Sequence, residues 1–546
     1  MASGSADGER DRVTIRKPPR TPGGTGSRQA ASSPAGDGAG QSGDTFEVRN
    51  PADGSVISSV PIHTPAEVAD TVARLRAEQP AWEALGRQGR YRWLGRWRDW
   101  MIANGENIAD VLQEESGKVR NDAALEMPGL ADAINFYGER AARFLAEERV
   151  VAHSPLMKTK ALKVVYRPFP VVGVIAPWNF PLLLTIGDAI PALAAGCAVV
   201  IKPSEFTPLS VLELVRAWRE DVGGPDVIRV ATGLGRCGSA VVDEVDYVHF
   251  TGSVPTGRKV MARAAETLTP VSLELGGKDP LIVLDDADPE RAANGAAWGA
   301  LANSGQVCIS TERVYATDTV YEPFLAKLTE RVSRLRQGAD QPPYTQDLGA
   351  MTSPAQLEIV EEHVRDAVER GARVVTGGKR RDGAGDFFEP TILVDVDHSM
   401  KIMSEETFGP VIPVMRVRDE DEAVRLANDS RYGLSAAVFG EREHAESVAR
   451  RLEGGAANVN DVLVNYLAFD VPMGGWKESG IGTRWGPDGI RKYCRTESLV
   501  ITRFAGTKSE PLWFPYSRLK SRVLGAVGRF VNARGLRGRL AALLRR

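Results

Sequence analysis

Three separated segments carry side chains suited to covalent chemistry. Asn303-Ser304-Gly305-Gln306-Val307-Cys308 sets a cysteine after a glycine-containing stretch, at an expected loop-to-strand junction. A lone cysteine is more often a small buried hydrophobe, but a thiol placed there is a candidate nucleophile. Glu274-Leu275-Gly276-Gly277-Lys278 ends a β-like run, Val271-Ser272-Leu273, with a carboxylate beside paired glycines, where the backbone can approach a ligand closely. Pro177-Trp178-Asn179-Phe180-Pro181 fixes Asn179 between two prolines directly after an apolar run. An amide held this way can donate to an oxyanion, or simply close an Asx-turn.

Nucleotide-binding patterns are present but incomplete. Gly233-Leu234-Gly235-Arg236-Cys237-Gly238 is a formal G-x-G-x-x-G after a strand, yet the acidic residue due about 20 positions later is replaced by His249-Phe250-Thr251-Gly252. Gly252-Ser253-Val254-Pro255-Thr256-Gly257 mimics half a P-loop but is followed by Arg258-Lys259-Val260, which excludes that class. The segment reads as a glycine-bounded turn opening a helix at Gly257, which could face a pyrophosphate or merely join strand to helix. Lys202-Pro203-Ser204-Glu205 places an ammonium and a carboxylate where both could bond ribose hydroxyls, or stand in a solvated loop.

Elements must bring these segments together. Between Ala161 and Thr251, apolar runs at 161–167, 171–176, 198–202, 227–231 and 247–251 alternate with helical stretches such as 208–220. A second series holds Leu281–Leu284, Val314–Ala316, Arg373–Val375 and Val411–Val414. Apolar strands alternating with helices predict parallel sheets covered on both faces. The fold class expected is therefore α/β, with two doubly wound layers. A helical prelude runs from Pro65 to about Leu145 after a turn at Asn50–Gly54.

With 546 residues, 43% hydrophobic and 25% charged, the chain is of ordinary globular composition. Its net charge of −3 argues against a nucleic-acid binder. Cys197, Cys237, Cys308 and Cys494 form no C-x-x-C pair, the six histidines stand singly, and no metal site is expected. A reducing, cytoplasmic setting fits this usage, and no secretion signal or membrane-spanning run is seen. Residues 1–43 are too poor in apolar side chains to order themselves. Pro511 to Arg546 carries nine Lys/Arg and no Asp/Glu. There Leu519, Val523, Val527, Leu536, Leu540 and Leu543 keep helical spacing among arginines, interrupted by Gly525, Gly528, Gly535 and Gly538. That pattern suits peripheral contact with an anionic membrane, or a solvated or partner-docked tail.

Taken jointly, the cysteine, glutamate and W-N-F-P segments resemble those of the aldehyde dehydrogenase superfamily, over about residues 46 to 506. Glu405-Glu406-Thr407-Phe408-Gly409-Pro410 resembles its E-x-F-G-P segment, and Pro472-Met473-Gly474-Gly475-Trp476-Lys477-Glu478-Ser479-Gly480 its P-F-G-G-x-K-x-S-G. The resemblance implies that Cys308 attacks an aldehyde, Asn179 holds the oxyanion and Glu274 activates water against the thioester. It implies Glu406 and Phe408 at the nicotinamide ribose and ring, Lys202 and Glu205 at the adenosine ribose, and Trp178, Gly252, Ser253 and Gly235 along the rest of the dinucleotide. Glu205 favours NAD, with NADP as the alternative.

The implied layout is a cofactor-binding domain (44–157 and 168–273), a catalytic domain (274–470), small β oligomerisation segments (158–167 and 490–508) and a basic amphipathic tail (509–546), in a homodimer or homotetramer. Asp279 stands where the family usually has Asn, Met473 where it has Phe, and Thr483-Arg484-Trp485 where Arg-Glu is common. The succinate-semialdehyde branch usually carries arginines at the places of Gly187 and Ala302, so Leu182-Leu183-Leu184 and Met473 suggest an apolar aldehyde instead. A succinate-semialdehyde dehydrogenase and a non-catalytic protein on the same fold are the competing readings.

Overall fold

Thr64 starts the helical prelude with a capping box: its hydroxyl accepts from the Glu67 amide at 3.3 Å, and the Glu67 carboxylate accepts from the Thr64 amide at 2.8 Å. Helices Pro65–Ala84, Gly86–Ala103, Gly105–Ser116, Arg120–Ala124 and Glu126–Phe144 follow. They are preceded by the antiparallel pair Thr45–Arg49 and Val56–Pro61. The computed structural model describes residues 44–539 apart from 155–156, 505, 507, 511 and 536. The extension expected at 1–43 and the leucines at 536, 540 and 543 lie outside the described residues.

The chain divides into two units, one comprising residues up to Phe144 and Pro168–Tyr493, the other Leu145–Arg167 and Cys494 onward. The larger holds two sheets. In the six-stranded sheet, Val171–Ile175, Ala198–Lys202 and Tyr247–Thr251 are buried at every position. Continuous burial is what a parallel strand covered on both faces requires, and these three pair in parallel. Ile228–Val230 and Val271–Glu274 extend the parallel set, and Gly480–Ile481 closes one edge antiparallel to Val271–Glu274.

The seven-stranded sheet runs in the order Arg373–Thr376, Thr391–Val394, Val411–Val417, Thr311–Thr317, Asp279–Val283, Ala437–Phe439, Asn458–Val459. Its side chains alternate between two cores: Leu281, Val283, Val314 and Ala316 enter one, Ile282 and Tyr315 the other. The fold is thus α/β with two doubly wound layers, as expected. Two readings change. Arg373–Thr376 is not a parallel member but a half-exposed edge strand antiparallel to Thr391–Val394. The helix expected at Gly257 begins at Val254, where Pro255 supplies a helical φ in the first turn. Gly257 instead gives close packing, since a Cβ there would lie 2.6 Å from Leu275 Cδ2.

The smaller unit holds a three-stranded sheet ordered Cys494–Thr502, Lys160–Pro168, Glu148–Val150, and the helix Arg518–Asn532. Among the described residues no helix is long and apolar enough to cross a membrane.

Candidate active site

Winding reverses in the six-stranded sheet between Val171–Ile175 and Tyr247–Thr251. The crevice beyond the carboxyl ends at such a reversal is where open α/β sheets bind ligands. Trp178 follows the first of these strands, Gly252 and Ser253 follow the second, and Lys202 and Glu274 end their own. Ser253 is the N-cap residue of helix Val254–Glu266. Gly235 opens helix Gly235–Glu244 after the edge strand Ile228–Val230, two strands from the reversal.

The cysteine segment is a strained loop pinned from several sides. Asn303, Ser304 and Gly305 take φ of 51°, 56° and 74° in succession, a left-handed run that only glycine adopts without cost. The Asn303 amide donates to Asp122 at 3.1 Å, the Ser304 hydroxyl to the Gly349 carbonyl at 3.0 Å, and the Thr352 amide to Gln306 Oε1 at 2.9 Å. Asn179 joins it directly: Nδ2 donates to the Gln306 carbonyl at 2.9 Å, while Asn303 Nδ2 donates to the Asn179 carbonyl at 3.0 Å. Lys118 Nζ also donates to the Asn179 carbonyl, at 2.8 Å, and pairs with Glu126 at 2.7 Å. Glu126 in turn accepts the Leu182 and Leu183 amides, which fixes the W-N-F-P turn.

Glycines set the remaining approaches. A Cβ on Gly277 would lie 2.7 Å from the Cys308 carbonyl oxygen, one on Gly305 2.2 Å from that of Gly409, and one on Gly480 2.2 Å from that of Leu273. The five sequence segments therefore converge on one place, with Cys308, Glu274 and Asn179 carried by three of them.

Electrostatics distinguish the two ionisable groups. Burial pushes the Glu274 carboxyl up to about 7, with Arg484 and Lys492 pulling the other way. Its Oε1 is buried without a hydrogen-bond partner. Desolvation raises the half-buried Cys308 thiol to about 12; Arg484 lowers it, and Glu274 raises it. Asp279 is held well above the ordinary carboxylate range by burial.

Arg484 and its partners were not singled out as site residues from sequence. Its Nε and Nη2 donate to Asp188 at 3.1 and 2.8 Å, Nη2 also reaches Thr251 Oγ1 at 2.9 Å, and Nη1 lies 4.0 Å from Glu274 Oε2. His249 Nε2 is 3.0 Å from Asp188, both buried, and the half-buried Lys492 places Nζ 3.4 Å from His249 Nδ1. Despite burial, the Arg484 guanidinium and then His249 hold Asp188 far below the ordinary carboxylate range. The only local signal was one acid inside the apolar helix Ile186–Ala195, which demands a buried partner.

Removing one member of such a pair strands the other charge. Arg484→Met is expected to destabilise the fold by about 3–5 kcal/mol, read as a lower urea midpoint, with Asp188→Asn added to it restoring part of the loss. Equal midpoints for wild type and Arg484→Met would show that the pair carries no such load.

The residues expected along a dinucleotide are placed as follows. Lys202 Nζ lies 3.3 Å from Glu205 at the end of its strand. Trp178 and Phe408 stand edge to face with ring centroids 5.5 Å apart. The Glu406 carboxyl accepts the Gly277 amide at 3.1 Å, and its Oε2 comes within 2.2 Å of where a Cβ on Gly276 would be. Glu406 is pushed up to about 8 by burial and then by Glu312. Among the described residues no cluster of three or more His, Cys, Asp or Glu is placed to hold a metal ion.

A doubly wound α/β enzyme with a half-buried thiol and a buried carboxyl at the carboxyl ends of a parallel sheet is the class that fold and site define. The chain matches the model of the aldehyde dehydrogenase family over residues 39–499, and it belongs to that family. It is 39% identical over 478 residues to the 4,4'-diapolycopene aldehyde oxidase of Methylomonas sp, covering 87% of this chain and 88% of that protein. A Mycolicibacterium smegmatis protein provisionally named a succinate-semialdehyde dehydrogenase using NADP(+) is 38% identical, covering 82% and 87%. The betaine aldehyde dehydrogenase of Staphylococcus aureus, solved in complex with NAD+, superposes with a TM-score of 0.80 at 32% identity, covering 87% and 94%.

Proposed function

We propose that this chain oxidises an apolar aldehyde, aliphatic or aromatic, to its carboxylic acid, using NAD. Cys308 adds to the carbonyl carbon as a thiolate, and the resulting oxyanion is held by Asn179 Nδ2 and the Cys308 amide. When bound, the dinucleotide supplies the hydride acceptor that converts the thiohemiacetal to a thioester. Glu274 then takes a proton from water as the water oxygen adds to the thioester carbon; collapse frees the acid and returns the thiol. Lys202 and Glu205 hold the adenosine ribose, Trp178, Gly235, Gly252 and Ser253 the remainder of the dinucleotide, and Glu406 and Phe408 its nicotinamide end. The observation that carries this reading is the convergence of the three segments: Asn179 Nδ2 donates to the Gln306 carbonyl at 2.9 Å, and a Cβ on Gly277 would lie 2.7 Å from the Cys308 carbonyl oxygen.

Substrate class follows from what surrounds that thiol. Leu182, Leu183, Leu184 and Met473 are buried close to the site, and the Arg484 guanidinium is already neutralised by Asp188. A carboxylate tail would meet little compensation there. The Methylomonas relative's name, which specifies a diapolycopene aldehyde, agrees. The Mycolicibacterium relative's name favours succinate semialdehyde as the second reading. A carboxylate at Glu205 repels a 2'-phosphate, so NAD is preferred over NADP. Self-association is proposed through the small sheet, whose strand Cys494–Thr502 leaves Val500 and Ile501 exposed.

Steady-state kinetics on medium-chain, aromatic and succinate aldehydes, each with NAD and NADP, test these assignments. The expected kcat/KM is at least about 10-fold higher for the apolar aldehydes and for NAD. A preference for succinate semialdehyde would replace the first assignment, and a preference for NADP the second.

A further inference from the structure

The helix Arg518–Asn532 buries none of its residues. At about 100° per residue, Leu519, Val523, Leu524, Val527, Phe530 and Val531 fall within an arc of about 140°, and Arg518, Arg522 and Arg529 cluster on one flank of it. Ahead of the helix, Leu512, Trp513, Phe514 and Tyr516 are 70%, 59%, 77% and 64% exposed, with the Phe514 and Tyr516 rings 4.5 Å apart. Ser517 caps the helix by accepting the Lys520 amide at 3.1 Å, and Lys520 Nζ sits 6.0 Å over the Tyr516 ring. Its long stem can follow the apolar side while the ammonium stays in water. No acidic residue follows Glu510 anywhere in the chain, whereas the stretch from Leu512 to Arg539 holds seven Lys/Arg.

We infer that this aromatic and basic segment docks the enzyme onto the surface of an anionic lipid bilayer. An acidic protein surface or a nucleic acid would answer the arginines but leave the apolar row beside them in water. A bilayer answers both, with phosphates for the cations and acyl chains for Leu519, Val523 and Phe530. Trp513 and Tyr516 take the headgroup level, where amphipathic rings concentrate. Fifteen residues span about 22 Å, so the helix lies in the interface rather than crossing it. Gly525 and Gly528 weaken it in water, so an apolar surface favours its folded form. The docking does not depend on which aldehyde is oxidised.

Flotation of the full-length protein with phosphatidylcholine vesicles, with or without about one quarter phosphatidylglycerol, tests this. Binding is expected on the anionic vesicles alone and is expected to fall as salt is raised. The double substitution Val523→Asp with Phe530→Asp, and separately Arg522→Gln with Arg529→Gln, are each expected to cut partitioning by about 10-fold or more while activity on a water-soluble aldehyde is retained. Equal binding to neutral vesicles, or undiminished flotation of the apolar-side variant, overturns the inference. So does a wild type that stays off vesicles while the apolar-side variant sediments as a smaller assembly, because a second copy of the chain would then cover the helix.

Discussion

Cys308→Ala is expected to abolish aldehyde-dependent reduction of NAD, with turnover falling by on the order of 10^4-fold or more. The size of the loss follows from the geometry. In the proposed mechanism Asn179 and Glu274 act only on species bonded to the sulfur: the first on the oxyanion of its adduct, the second on its thioester. Without the thiol both are left facing an unactivated aldehyde. Cofactor binding is expected to survive, because Lys202, Glu205, Glu406 and Phe408 lie on other segments. Absorbance of the reduced nicotinamide reports turnover, and quenching of protein fluorescence by NAD reports binding. A Cys308→Ala enzyme that turns over at the wild-type rate would remove the covalent mechanism altogether; loss of NAD binding along with activity would instead point to a collapsed loop.

The parts of this site that were readable from sequence are the parts whose physics is local. Val171–Ile175, Ala198–Lys202 and Tyr247–Thr251 declare themselves as unbroken apolar runs because both faces of each strand are covered. The glycines at 276, 277, 305 and 480 mark backbone approaches a side chain would block. What stayed hidden depends on distant pairing. Thr391–Val394 and Ala437–Phe439 are central strands, yet they are only four and three residues long and show no period to read.

Asp188 and Arg484 are 296 positions apart, and neither is interpretable until the strand Gly480–Ile481 lies against Val271–Glu274. The Met473 amide donating to the Arg484 carbonyl at 2.9 Å then holds Arg484 beneath Glu274. Here the departure of Thr483-Arg484-Trp485 from the usual Arg-Glu has a structural consequence: a guanidinium lies 4.0 Å from Glu274, with Asp188 as its counter-ion.

Glu274→Gln is expected to separate the two halves of the reaction. The amide can take no proton from water, so the thioester accumulates: one equivalent of NADH forms per active site in the first turnover, and the steady state then falls by roughly 10^2- to 10^4-fold. The pH dependence follows from the raised carboxyl. Water activation needs the ionised form, so wild-type steady-state turnover is expected to fall as pH drops through about 7, the value to which burial lifts Glu274. Arg484 pulls that value down, so Arg484→Met is expected to move the same limb to higher pH if the variant remains folded. In Glu274→Gln the limb is expected to vanish from the deacylation step. Rapid-quench or stopped-flow measurement of the first turnover across pH separates this effect from ionisation of Cys308, which acts before hydride leaves. A Glu274→Gln enzyme with no burst but an unchanged pH limb would assign water activation to another residue.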